Sequence, residues 1–109
     1  MKFRVRLTAE AVRNQNEIAD WIAERSVNGA LSWLDALDQV LQQVSTSPMS
    51  FPLAVEDEFC DKELRNALFG TRKGRLFRAI FYLDGDCVIV THLRGPDQQD
   101  LSADDLGNL

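Results

Sequence analysis

Hydrophobic and polar residues alternate at the start of the chain. Phe3, Val5 and Leu7 are separated by Arg4 and Arg6, the period-two pattern of a half-buried strand. Thr8 then stands at an N-cap position, with Ala9 and Glu10 in the first turn of a helix expected over residues 9–26. Its apolar stripe combines Ala11, Ile18 and Ile22 with Val12, Ala19 and Ala23, interrupted by Gln15 and Asn16. Asn28-Gly29 reads as a left-handed stop, and a second helix is expected at about 30–46. Its stripe runs through Ala30, Trp33, Leu34, Leu37, Val40, Leu41 and Val44 at steps of three and four. So short a connection predicts an antiparallel αα-hairpin. Trp33 is expected in the helix–helix seam and Trp21, one step off its stripe, at the surface. Pro48 and Pro52 exclude further helix.

Residues 48–62 read as irregular and contain the acidic cluster Glu56-Asp57-Glu58. Leu64 to Phe69 reads as a strand, and Gly70-Thr71-Arg72-Lys73-Gly74 as a basic turn. Leu76 to Leu83 is apolar almost throughout, broken by Arg78. Asp84-Gly85 predicts a two-residue type I′ hairpin loop, with Cys87 to Leu93 as the returning strand. That loop sets Phe77 opposite His92 and Arg78 opposite Thr91. His92 then shares a face with Arg75 and Arg94 and lies across the sheet from Arg78. The order β-α-α-β-β-β predicts an α+β fold: the antiparallel αα-hairpin packs on one face of a small twisted, mainly antiparallel sheet. The other face is partly covered. Residues 1–94 form a single domain, and 95–109 an acidic, polar carboxyl-terminal tail expected to be only partly ordered.

The length of 109 residues suits one modest core. No apolar run approaches the ~20 residues of a spanning helix, so no membrane partner is expected. The opening residues lack an apolar secretion signal. Cys60 and Cys87 are 27 positions apart with no C-x-x-C spacing, so neither a structural disulfide nor a metal site is expected and a reducing cytoplasm fits; no cofactor is expected. The net charge of −5 conceals segregation. Residues 62–78 carry Lys62, Arg65, Arg72, Lys73, Arg75 and Arg78 against Glu63 alone, while 14–61 carry Arg25 against nine acids. A cationic patch on an anionic body suits an acidic partner or a nucleic acid.

The carboxyl half carries Glu63-Leu64-Arg65, Gly70, Arg72-Lys73-Gly74-Arg75, Phe77-Arg78-Ala79-Ile80-Phe81, Asp84-Gly85-Asp86-Cys87-Val88 and Val90-Thr91-His92-Leu93-Arg94. In order and spacing this run resembles the ParE, or plasmid-stabilisation, branch of the RelE/ParE superfamily of type II toxins. Val5 to Ala11 and Trp21 to Glu24 agree with the amino half of that pattern. The resemblance implies a toxin silenced by a cognate antitoxin, with DNA gyrase as the target of the ParE-like kind. RelE-like relatives instead cut messenger RNA on the ribosome, and a disarmed toxin fold kept as a binding module is a third reading.

Metal-independent RNA cleavage needs a base, cations on the phosphate and an acid for the leaving oxygen. Arg65, Arg72, Lys73, Arg78 and Arg94 supply cations, and His92 is the only histidine. The expected strand pairing keeps His92 apart from Arg78 unless a bulge shifts the register. Arg78, His92 and Arg94 are therefore candidates without an assigned catalytic role. Arg65, Arg72, Lys73, Arg75, Arg78 and Arg94 are expected to bind the target or the antitoxin. A guanidinium inside an apolar strand is costly to bury unless paired, so Arg78 is expected either to emerge on the open face of the sheet or to meet a carboxylate such as Glu63. The basic turn has no interleaved aromatics, so strong direct nucleic-acid binding by the chain alone is not expected. Where the family carries further cations, this chain carries Asp97, Asp100, Asp104 and Asp105. These acids are expected to screen the cationic patch.

Overall fold

Four strands and two long helices make up most of the computed structural model, which describes residues 2–71 and 75–107. The first strand, β1 (Arg4–Leu7), leads directly into helix α1 (Ala9–Ala23). Thr8 makes the join. Its Oγ1 accepts from the Ala11 amide at 3.1 Å and donates to the Thr91 carbonyl at 2.9 Å, capping the helix and tying it to the sheet. Helix α2 (Val27–Thr46) is capped by Ser26, whose Oγ accepts from the Gly29 amide at 2.9 Å. Asn28-Gly29 is thus the first turn of α2 and not the stop between the helices. A serine side chain that satisfies an orphan amide outweighs glycine's tolerance of the left-handed region.

Strands β2 (Arg65–Phe69), β3 (Phe77–Asp84) and β4 (Cys87–Arg94) complete a four-stranded sheet of order β1-β4-β3-β2. β1 runs parallel to β4, and the other pairs are antiparallel. The α+β architecture matches the expectation. Two 3-10 turns, Pro48–Ser50 and Val55–Phe59, carry the chain from α2 to β2.

The principal core lies between the helix pair and one sheet face. Ala11, Trp33, Leu37, Val40 and Val44 meet Ala67, Phe69, Ala79, Phe81, Val88, Val90 and Leu93. Trp33 faces the sheet, not the helix–helix seam: its ring packs 5.6 Å from that of Phe69 and 5.5 Å from that of Phe77. A smaller cluster on the opposite face joins Ala54, Leu64 and Ile80 to Leu101 and Leu106. These two leucines are only 3% and 4% exposed. The acidic tail therefore packs on the sheet, because two apolar side chains five positions apart offset the cost of ordering it. No helix of the described residues is long and apolar enough to cross a membrane.

Candidate functional site

The hairpin loop is Gly85-Asp86, closed by the pair Asp84 and Cys87, and not Asp84-Gly85. Gly85 takes φ +61° while Asp86 stays at negative φ, a type II′ rather than type I′ pattern. This moves the pairing by two residues and alone leaves every side chain on its expected face. A bulge changes the outcome. Phe81 pairs with Val90 and Ile80 with His92, so Thr91 is the extra residue. Its hydroxyl donates to the Ile80 carbonyl at 3.3 Å.

Beyond the bulge, Arg78 stands opposite Arg94, and Ile80 opposite His92. Arg78, His92 and Arg94 consequently share the face turned away from the helices. The expected separation of His92 from Arg78 is overturned, and the register shift by one residue is the reason.

The partner of Arg78 is Glu56, not Glu63. Nη1 and Nη2 of Arg78 donate to the two carboxylate oxygens at 3.0 and 2.7 Å, a bidentate pair. Asn66 Oδ1 accepts from the same guanidinium at 3.4 Å, and Asp100 lies 3.5 Å away. Glu56 is wholly buried. Burial pushes its carboxyl up, but the hydrogen bonds from Arg78 and the Leu101 amide outweigh it and hold the group below its ordinary value. The hydrogen bond to Glu56 also raises Arg78. Glu63 pairs instead with Arg65, whose Nη1 also donates to the Phe51 carbonyl at 2.6 Å.

The tail closes over this face. The Leu101 amide donates to Glu56 Oε2 at 2.9 Å, and Arg94 Nη2 donates to the Gln99 carbonyl at 2.6 Å. Asp97 pairs with Arg75. Asp105 accepts from the amide and hydroxyl of Ser102, which lowers its carboxyl. His92 is 7% exposed, with Nδ1 3.0 Å from Thr91 Oγ1. Burial lowers the imidazole from its ordinary value, so it is neutral at pH 7. Among the described residues, the Nε atom of Arg94 is buried without a partner.

Arg65, Arg75, Arg78 and Arg94 thus each contact an acceptor supplied by this chain. Arg72 and Lys73 lie outside the described residues. Sequence reasoning missed Glu56, Leu101 and Leu106. The signals were present: a lone arginine in an apolar strand demands a buried acid, and the acidic cluster at 56–58 supplies one.

On the other side of the sheet's end, Ile18, Trp21, Phe77 and Pro96 line a cleft of about 280 Å³ rimmed by Glu17 and Arg75. Trp21 is 55% exposed, as expected, with the Arg25 guanidinium stacked 3.9 Å from its ring.

No family model matches the chain, and no curated protein matches it. Among solved structures, it is similar to a chain of the toxin–antitoxin complex RelBE2 from Mycobacterium tuberculosis. The identity is 19%, the TM-score is 0.46, and the match covers 87% of this chain and 99% of that one.

Proposed function

We propose that the chain is the toxin of a type II toxin–antitoxin pair, neutralised by direct binding of a cognate antitoxin, and that it acts by inhibiting DNA gyrase. The run from Glu63 to Arg94 supports the toxin reading by its resemblance to the ParE branch. The observation that carries the mode of action is the state of the sheet face. Arg78, His92 and Arg94 converge there, yet both arginines are held by acceptors of the same chain and the histidine is neutral. Such a face has polar and apolar parts for a protein to recognise and few uncompensated cations for a phosphate. A cytoplasmic site of action accompanies this reading.

The bulge at Thr91 favours a second reading, ribosome-dependent cleavage of messenger RNA, because it brings His92 to the side of Arg78. One assay separates the two. The purified chain is incubated with gyrase, ATP and supercoiled plasmid, with and without the antitoxin. Linear DNA released by protease and suppressed by the antitoxin is expected. Intact plasmid together with cleaved message on translating ribosomes would overturn gyrase inhibition in favour of the nuclease. Neither activity from a folded chain would leave the disarmed binding module.

A further inference from the structure

The smaller core is formed by a segment that crosses the sheet face and touches it at few points. Leu101 and Leu106 fill a seat made by Ala54, Leu64 and Ile80, with Cys60 and Tyr82 at its margin. Most positions between and around the two leucines are exposed. Three polar contacts align the segment: Asp100 with Arg78, the Leu101 amide with Glu56, and the Gln99 carbonyl with Arg94. A short turn, in which Asp105 accepts from Ser102, sets the spacing of the leucines. The segment therefore resembles a bound peptide more than a core element. Its local opening requires no loss of the sheet, the helix pair or the Glu56–Arg78 ion pair.

We infer that the sheet face bearing Glu56, Leu64, Ile80, Arg78 and Arg94 is a docking seat that residues 97–106 occupy as an exchangeable internal ligand. Its external ligand is a partner segment of the same chemistry, a carboxylate followed directly by leucine and, five positions on, by a second aliphatic residue. The seat reads that order. Arg78 meets the carboxylate, the buried Glu56 oxygen requires a backbone amide, and the apolar floor takes the two side chains. Occupation by the chain's own segment lowers the apparent affinity for any partner by the fraction of molecules whose seat is open. This inference does not depend on the identity of the target.

The test uses the full chain and a labelled peptide with the sequence of residues 96–107, followed by fluorescence anisotropy. The double variant Leu101→Asp, Leu106→Asp opens the seat without touching its floor. It is expected to bind the peptide at least ten-fold more tightly than the wild-type chain, and a peptide with Leu101→Ala is expected to bind weakly to both. Equal binding by variant and wild type, or none by a variant whose near-ultraviolet dichroism is retained, would overturn the inference. Native-state hydrogen exchange on the wild-type chain covers the case of an unfolded variant. The Leu101 amide is expected to exchange at least a hundred-fold faster than those of Phe81 and Val90. Exchange of all three at one common rate would equally overturn it. Neither readout uses gyrase or ribosomes, so failure here is distinct from failure of the toxin reading.

Discussion

Replacing Arg78 with methionine tests the polar arrangement at its centre. The substitution preserves much of the side-chain volume but leaves Glu56 wholly buried, with the Leu101 amide as its remaining donor from outside its own turn. Removing one partner of a buried pair strands the other charge, at a cost of about 3–5 kcal/mol. For a chain of this length that lowers Tm by roughly 12–20 °C, at about 4 °C per kcal/mol. The carboxyl then loses the contacts that hold it down, and burial alone pushes it up. The sign of its pH dependence reverses. In the wild-type chain the folded Glu56 value lies below the unfolded one, so its contribution is present above that range and is lost as pH falls through the folded value. In Arg78→Met the folded value is raised, and the penalty shrinks on acidification from pH 7 towards 5. Pairing the change with Glu56→Gln keeps an acceptor for Leu101 and removes the stranded charge. The double variant is expected to be less destabilised than the sum of the singles by at least ~1 kcal/mol in urea unfolding. Additivity within ~0.5 kcal/mol, or a loss below ~1 kcal/mol for Arg78→Met, would refute the argument.

Three further outcomes are expected. His92 is held below its ordinary value of 6.5, so the unfolded chain takes up the proton first and stability falls as pH drops through 6.5. His92→Gln flattens the stability profile between pH 7.5 and 5.5, and an unchanged slope there would locate the acid sensitivity elsewhere. A Cβ at Gly70 stands 2.6 Å from the Arg75 carbonyl oxygen, so Gly70→Ala costs about 1–3 kcal/mol in thermal or urea unfolding. A neutral result would show that the backbone there yields freely. Trp21→Phe changes stability by less than ~0.5 kcal/mol and removes the iodide-quenchable fluorescence, whereas Trp33→Ala costs about 3–5 kcal/mol. Quenching that survives in Trp21→Phe would contradict the burial of Trp33.

The element order was legible in the sequence because periodicity reports which residues face a core. The αα-hairpin, the three carboxyl-half strands and the surface position of Trp21 follow from that signal. Its limits show at three places. Ser26 and Asn28-Gly29 compete for the same stretch, and only the serine's hydrogen bond to an orphan amide decides between them. Thr91 carries no bulge signature of its own, since a β-branched residue in an apolar strand suits regular pairing equally well. One unpaired residue there reassigns the faces of His92 and Arg94 together. The tail reads as polar because its acids outnumber its leucines, and composition does not report that Leu101 and Leu106 point the same way. The candidate cations were found in the sequence, as were the tail acids Asp97 and Asp100 that meet Arg75 and Arg78; Glu56 was not, because its ion pair with Arg78 spans 22 positions with no local pattern.

The parallel pairing of β1 with β4 has a temporal side. The Thr8 hydroxyl that starts the first helix bonds to a carbonyl 83 positions later, and β1 has β4 as its neighbour in the sheet. At about 5–20 residues per second, a ribosome needs roughly 4–16 s to supply that neighbour. Until then β1 has no strand beside it, and the apolar face of the helical segments has no complete sheet to pack against. The last strand to emerge is also the one that carries His92 and Arg94. The helical hairpin is therefore exposed to its surroundings for seconds before the opposite face of the molecule exists. A partner that grips those helices can engage the nascent chain first.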